Sequence, residues 1–564
     1  MLNIFLSCLF GSIIIIANGF LFNYIIFKKK INDFNISIDS LFGFIFIGLL
    51  GLSINFIFPI NKLISSLFII LSFIIFIIFF FKFEKKKKLL FSILFVSVTV
   101  FIFISYSNIN RPDAGLYHLP FIKILNENKI ILGLSNLHSR FGHISIIQYI
   151  SALHVNFLFK EEFLNMPLGI LPVLYFLYLF ESFINEIKND NQKNILAIFL
   201  ITAFSLYSFS RFSGLGNDGP ANIFFFVLIV QYLRIKNINK INSEEFYKIL
   251  IISIFLIMLK PLMIFCIIVP CFIFLVSNKK LELINNTKII FCLIFICLWI
   301  FKNILVSGCA IFPIKQTCLN NLIYSNNEIV NFASSEAEAW AKGYPDSKTK
   351  ENYDTYNSNF NWISTWSKNH LKKVVEKLLP LIFLVFFMVL FSFFTRNYYK
   401  NLYKEWIKND KNLLYLLFFL LFYLTIWFLK FPLYRFGLAF LSSFIIIIYV
   451  YFFVPNKKIF NERYLIVILI AGFILFYYKN IDRIIFKPNK YYINAPWPAI
   501  YSLDDNKNIL NNFKKIFDEK DEFLYFYSYG RECMYLISPC SNYFHKDIKK
   551  IKKFGYSVFF FKKS

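Results

Sequence analysis

The chain alternates long apolar runs with short clusters of lysine. Runs such as "SLFGFIFIGLLGLSINFIF" and "LISSLFIILSFIIFIIFFF" continue for 18 residues or more without an acid or base, long enough to cross a hydrocarbon core of roughly 30 Å as a helix. The clusters "KKKINDF" (28–34), "KFEKKKK" (82–88), "NEIKNDNQK" (185–193), "RIKNINK" (234–240), "SNKK" (277–280), "RNYYKNLYKEWIKNDK" (396–411) and "NKK" (456–458) fall between them. Short basic loops stay on the cytoplasmic side. With the first cluster inside, spans are expected near 3–27, 40–58, 61–81, 89–106, 166–184, 194–211, 221–233, 287–306, 377–395, 412–429, 436–454 and 463–478. The first is read as a retained span, because it lacks a charged n-region and is too long for a signal peptide.

Two segments need separate treatment. Residues 249–276 would form a helix of about 42 Å, and "MLKPLM" breaks them at Lys260-Pro261, where proline ends or kinks a helix. They are read as two half-spans meeting near the outer face, which returns 277–286 to the cytoplasm. The short segment 145–159 is assigned to the interface. The expected fold is an all-α polytopic membrane protein of about 12–14 transmembrane or half-spanning helices. Its membrane domain is 1–478, with outer loops 107–165 and 307–375. Residues 479–564 form a small α/β segment on the outer surface. In it "NILNNFKKIF" sets Ile509, Leu510, Phe513, Ile516 and Phe517 on one helical face, and "FLYFYSY" and "YSVFFFKK" read as strands.

Composition narrows the function classes. The 564 residues are 58% hydrophobic with 77 Phe, and the mean hydropathy is +0.59. A net charge of +27 raises the question of nucleic acid, but the cations punctuate apolar spans and form no basic domain. Their placement fits topology and snorkelling. Of nine cysteines, Cys8, Cys266, Cys271, Cys292 and Cys297 lie in spans. Cys309 with Cys318 and Cys533 with Cys540 are close pairs on the outer side, where disulfides form. Free thiols or a metal are the alternatives, although neither pair has zinc spacing.

Candidate chemistry clusters where the fourth span leaves the membrane, in "NRPDAGLYHLP". Leu116, Leu119, Ile122, Ile124 and Leu125 make the next segment amphipathic, suited to the membrane surface. Asp113 and Tyr117 share a helical face, and Pro112 suits the first helical position. Asp113 either complements a helix dipole, serves as a general base, or holds a divalent cation against a leaving phosphate. "SNLHSRFGHIS" adds His138, Arg140 and His143 beside His118, and Arg140 can fork onto phosphate. Asp218 in "GNDGPAN" is either a helix cap or a second acid in the same cavity. Lys430 and Arg435 sit in a very short outer loop, "WFLKFPLYRFG", where cations are disfavoured. With Lys260 at the helix break, they either snorkel to headgroups or bind a lipid phosphate.

Five stretches, "DAGLYHLPFIKILNENKIILGLSNLHSRFGHIS", "WIFKNILVSGCAIFPIKQTC", "EAEAW", "WFLKFPLYRFG" and "CMYLISPC", run in this order from about 113 to 540. In order and spacing they resemble the GT-C class of integral-membrane glycosyltransferases, and within it an uncharacterised family of bacterial multi-spanning proteins. The resemblance implies a GT-C-like fold and sugar transfer from a polyprenyl-phosphate donor. The acceptor would be a glycan, lipid or protein of the cell envelope, at the periplasmic face of the bacterial inner membrane. It gives Asp113 the role of base or metal ligand. In such an enzyme charge develops on the leaving phosphate, which Arg435, Lys260 and Arg140 would stabilise, with Asp218 orienting sugar or acceptor. Many relatives carry two adjacent acids there, whereas Asp113 is followed by Ala114. The other readings are a polysaccharide polymerase or ligase using lipid diphosphates, and a lipid or polysaccharide transporter. A transporter would place ionisable residues near mid-bilayer.

Overall fold

The computed structural model describes residues 2–105, 113–159, 161, 164–211, 215–284, 286–347, 351–358, 360–398, 410–454, 461–486, 513–518, 522–529 and 532–561. The helices are α1 (Leu2–Ile26), α2 (Ile36–Ile57), α3 (Lys62–Lys82), α4 (Lys86–Ile104), α5 (Leu119–Glu127), α6 (Ile146–Ala152), α7 (Met166–Asn189), α8 (Gln192–Ser208) and α9 (Asp218–Leu233). They continue with α10 (Ser243–Leu259), α11 (Ile268–Val276), α12 (Asn286–Ser307), α13 (Asn327–Ala341), α14 (Lys372–Tyr398), α15 (Lys411–Lys430), α16 (Tyr434–Phe453) and α17 (Glu462–Ile485). Among the described residues, ten helices are long and apolar enough to cross a membrane. The chain is therefore an integral, multi-pass membrane protein of all-α type with a small strand region near its C-terminal end. Pro112 lies outside the described residues.

Asparagine sets many of the helix starts. The side chains of Asn35, Asn61, Asn191, Asn242 and Asn326 accept hydrogen bonds from backbone N–H groups in the first turns of α2, α3, α8, α10 and α13. Those N–H groups have no partner inside the helix, so an asparagine in each loop satisfies them. Central and peripheral helices then separate by burial. In α7, 78% of the apolar window is buried inside the protein, against 28% in α3 and 22% in α17. The outward Phe81, Phe91, Ile474 and Tyr478 present apolar surface that only lipid can cover. At the α1–α2 crossing, Gly19 and Gly43 let the backbones touch; a Cβ on either would run into the carbonyl oxygen of Asp39 or Ile15.

The break at Lys260-Pro261 produces a hairpin. After α10, Lys260 is extended (φ −158°, ψ 128°), and residues Pro261–Ile267 form a 3₁₀ turn that runs into α11. The Asn278 N–H donates to the Asn239 carbonyl at 3.0 Å, so both ends of the hairpin meet at the end of the bundle that carries the lysine-rich turns. Lys260 is thereby left at the opposite end.

That opposite end holds the loops and the C-terminal strands. β1 (Lys514–Phe517), β2 (Phe523–Tyr527) and β3 (Cys540–Ser541) form one sheet in that order, antiparallel and then parallel, and β4 (Ile548–Lys553) pairs antiparallel with β5 (Tyr556–Phe561). Phe554 and Gly555 both have positive φ in the two-residue β4–β5 turn, as a tight hairpin demands. The strands lock onto the loop after α4. Leu132 exchanges backbone hydrogen bonds with Ser557 and Phe559, both at 2.9 Å, and the Met534 N–H donates to Gly115 O at 2.9 Å. Disulfides join Cys309 to Cys318 and Cys533 to Cys540.

Several expectations change. Residues 514–517, read as part of a helix, are strand β1, because Ile516 is buried while its neighbours are exposed and β2 supplies the ladder. The rest of that expected helix, 508–512, lies outside the described residues. α5 and the α6 part of segment 145–159 do not lie on a free surface, whereas Phe157 and Leu158 at the end of that segment are exposed. Every residue of α6 is buried, and Phe121, Ile122, Ile124 and Leu125 of α5 pack inside. α6 is covered by α2, α5, α7 and α10, and on α5 the Tyr535 hydroxyl of the C-terminal segment donates to Asn126 Oδ1 at 2.9 Å. Helical structure also begins at Trp362, well before the expected 377, and α17 continues to Ile485.

Candidate functional site

Four ionisable side chains from four distant segments meet at the loop end. Asp113 opens a wide turn of π-helix, Ala114–His118, that leads into α5. Asp218 is the first residue of α9, Lys260 the hairpin tip after α10, and Arg435 lies in the first turn of α16. Lys260 Nζ stands 2.6 Å from Asp218 Oδ1, and Arg435 Nε stands 3.3 Å from Asp218 Oδ2. The other face of the guanidinium reaches Asp113, with Nη1 at 3.7 Å from Oδ2. Phe436 lies under both cations, its ring centroid 3.0 Å from Lys260 Nζ and 5.2 Å from Arg435 Cζ. Asp218 does not cap its helix; its carboxylate is spent on the two cations.

The two ion pairs differ in strength. Asp218 and Lys260 are largely enclosed, at 23% and 12% exposure, whereas Asp113 and Arg435 are nearly half exposed. An open pair at 3.7 Å is worth little. A bound anion can therefore take the Arg435 guanidinium from Asp113 at small cost, while Asp218 keeps Lys260 in place. Asn222 fixes the geometry from behind. Its amide donates to the carbonyls of Asp218 and Arg435, both at 2.9 Å, and its oxygen accepts from the Ala439 N–H at 3.2 Å.

The cluster opens into a cavity of about 1280 Å³. Phe103, Leu168, Leu171, Phe265, Ile426 and Leu429 give it apolar lining. The remaining expected residues line it too, with other partners. Arg140 Nη2 pairs with Glu336 Oε2 at 3.0 Å, and Lys430 Nζ with Glu338 Oε2 at 3.0 Å. Lys342 Nζ closes on the second Glu338 oxygen at 2.6 Å. Helix α13 thus supplies Arg140 with an acid of its own, while Glu338 is shared between Lys342 and the exposed Lys430. His118 Nδ1 lies 2.8 Å from Gln148 Nε2, and His138 Nδ1 accepts the Arg140 N–H at 3.0 Å.

A resident divalent cation at Asp113 fits these residues poorly. Among the described residues no three His, Cys, Asp or Glu side chains converge, and Asp113 and Asp218 are bridged by the Arg435 guanidinium. An ion there would face Arg435 and Lys260 with too few oxygens to offset them.

Sequence reasoning missed four residues. Glu336 and Glu338 drew notice only through the "EAEAW" resemblance, since the partners of such enclosed acids are set by tertiary contacts. Gln148 and Asn222 carry no charge, so no local pattern marks them. A further buried cation, Lys302, points its ammonium at Ile144 O (3.3 Å) and over the Trp299 ring (3.6 Å); only its place within a span could have flagged it.

The comparisons with known proteins bear on the same region. A family model described as a domain of unknown function, DUF8201, matches residues 1–442. The chain belongs to the DUF8201 family. The match takes in Asp113, Asp218, Lys260 and Arg435 and ends before the C-terminal strands, so in this DUF8201 protein the cap lies beyond the matched region. No curated protein and no solved structure matches the chain.

The buried histidines are expected to make this DUF8201 protein acid-sensitive. Burial lowers His118 and His154 to about 4 and His138 and His143 to about 3, and it lowers His545 as well. An unfolded histidine titrates near about 6.5. Between these values the unfolded chain binds more protons, so stability is complete above about pH 6.5 and is lost as pH falls towards 4. The thermal midpoint of detergent-purified protein is expected to drop steadily from pH 7 to pH 5. A flat midpoint over that range contradicts the buried, neutral assignment.

Proposed function

We propose that this protein is a membrane glycosyltransferase that moves a sugar from a polyprenyl-phosphate donor to a cell-envelope acceptor at the periplasmic face of a bacterial inner membrane. The observation that carries the reading is the convergence of Asp113, Asp218, Lys260 and Arg435 on one cavity with apolar lining, at the end of the bundle away from the lysine-rich turns. A lipid-linked phosphate needs that combination, cations for the head and an apolar flank for the tail. A transporter would instead be expected to carry its ionisable groups near mid-bilayer.

In this reading the phosphate displaces Asp113 from Arg435 and rests between Arg435 and Lys260. Asp113, released beside the acceptor, takes the proton of the attacking hydroxyl. The new bond forms from that oxygen to the anomeric carbon, and the bond from carbon to phosphate oxygen breaks. The electron pair leaves on polyprenyl phosphate, where the two cations stabilise it. Asp218 holds Lys260 and Arg435 in position throughout.

Arg435→Ala tests the binding half directly. Losing a charge-assisted contact to phosphate is worth about 1.5–3 kcal/mol, so affinity for a polyprenyl-phosphate analogue in nanodiscs is expected to fall about tenfold to a hundredfold. Wild-type affinity in this variant would contradict the assignment.

A further inference from the structure

The turn that joins β4 to β5 carries a side chain unsuited to water. Phe554 and Gly555 take left-handed conformations there, with φ of 51° and 76°. Asn-Gly, Asp-Gly or Gly-Gly suits such a turn, whereas a phenylalanine crowds its own backbone. Packing within the chain does not offset that strain, since Phe554 is 90% exposed. Ile551, Lys552 and Lys553 beside it are exposed too, and the Lys553 ammonium lies 5.8 Å from the Phe554 ring. An aromatic ring flanked by lysines has the chemistry of a membrane boundary, where the ring enters the acyl region and the ammonium groups stay with phosphates.

The contacts of β5 run down towards the bilayer. Phe559 O accepts the Asn136 amide at 2.9 Å, and the same amide reaches Tyr324 O in the loop after α12. Ser557 O accepts the Leu132 N–H at 2.9 Å, and the next residue, Gly133, donates to Leu305 O near the end of α12 at 2.8 Å. The Tyr556 hydroxyl then donates to Phe56 O in the last turn of α2 at 2.7 Å. The Phe56 ring stacks on Phe301 at 5.6 Å, and Phe301 sits about 6 Å further down α12 than Leu305. Both helices are long and apolar enough to cross a membrane. The turn before Tyr556 therefore leads the strand towards lipid, near the exposed Ile57 and Phe58. Lys129, over the Tyr556 ring at 5.3 Å, adds a third cation.

We infer that the β4–β5 turn seats in the leaflet at the loop end of the bundle, with Phe554 among the upper acyl chains and Lys552, Lys553 and Lys129 on the phosphates of anionic phospholipid. Neither Phe554 nor the two turn lysines line the cavity, so this surface does not depend on what the cavity binds. It fixes the C-terminal strands to the membrane surface as well as to Leu132 and Gly115.

The test uses full-length protein in nanodiscs of phosphatidylcholine and phosphatidylglycerol, with p-benzoylphenylalanine in place of Phe554. After irradiation, mass spectrometry of the β4–β5 peptide is expected to find phospholipid adducts. Phosphatidylglycerol should exceed its share of the bilayer about fivefold, the preference that a single lysine has for an anionic surface. Lys552→Gln together with Lys553→Gln should return the adducts to the bilayer ratio. Hydrogen exchange on the unsubstituted chain gives a second reading that needs no crosslinker: the turn amides should exchange more slowly in the mixed bilayer than in phosphatidylcholine alone. Absence of phospholipid adducts overturns the inference, as does a cross-link to a second copy of this chain. Adducts in the bilayer ratio, a preference that survives loss of both lysines, or equal exchange in the two bilayers overturns it as well.

Discussion

Cells whose only copy carries Asp113→Asn are expected to lose the glycan this protein adds, with the variant present in the membrane at the wild-type level. The substitution removes the only proton acceptor in the cluster that is both half exposed and loosely held. A positioned general base contributes roughly a hundredfold to ten-thousandfold in rate, enough to empty a surface glycan profile. The structural cost is small, because an open ion pair at 3.7 Å contributes little to stability. Unchanged glycans at normal protein level would remove Asp113 from the chemistry. Disappearance of the protein itself would show instead that the residue holds the loop.

Asp218 gives the second large effect, and it is one of folding. It pairs with Lys260 at 2.6 Å and Arg435 at 3.3 Å in a largely enclosed setting. Asp218→Ala leaves the Lys260 ammonium enclosed without an acid, and breaking such a pair from one side costs about 3 kcal/mol or more. The double variant Asp218→Ala with Lys260→Met removes the stranded charge and should recover most of that loss, since Arg435 can still turn to Asp113. Thermal unfolding of the two single variants and the double variant measures the coupling. Additive losses would mean that Asp218 and Lys260 do not depend on each other. Recovery of stability without recovery of transfer is the expected pattern, because Lys260 has its own part in binding phosphate.

What the amino-acid pattern could and could not reveal follows from the range of the forces involved. Spans were legible because each apolar run is a local property, and the hairpin tip was legible because proline acts on its own backbone. Lys260 and Arg435 stood out as cations placed against the charge bias. The meeting of Arg435 with both Asp113 and Asp218 was not legible, since it depends on how α9, α10 and α16 pack. The pairing of Arg140 with Glu336 and of Lys430 with Glu338 of α13 was hidden for the same reason. The same tertiary packing buries α6, the first part of the supposed interfacial segment, where Gln148 meets His118, and pairing with β2 overrode the helical pattern at 514–517. Polar but uncharged residues such as Asn222 and Gln148 leave no periodic trace. Their importance is visible only through the partners they find or lack.

The central claim is that polyprenyl phosphate sits with its phosphate between Lys260 and Arg435 and its tail along the apolar lining. A polyprenyl phosphate with a photoreactive group on its first isoprene unit, incorporated with the protein into nanodiscs, tests this most directly. After irradiation, peptide mapping is expected to find the label on cavity-wall residues such as Phe265, Ile426 or Leu429, competed away by unmodified polyprenyl phosphate. Label confined to the lysine-rich end of the bundle, or label that the unmodified lipid fails to compete away, would contradict the account.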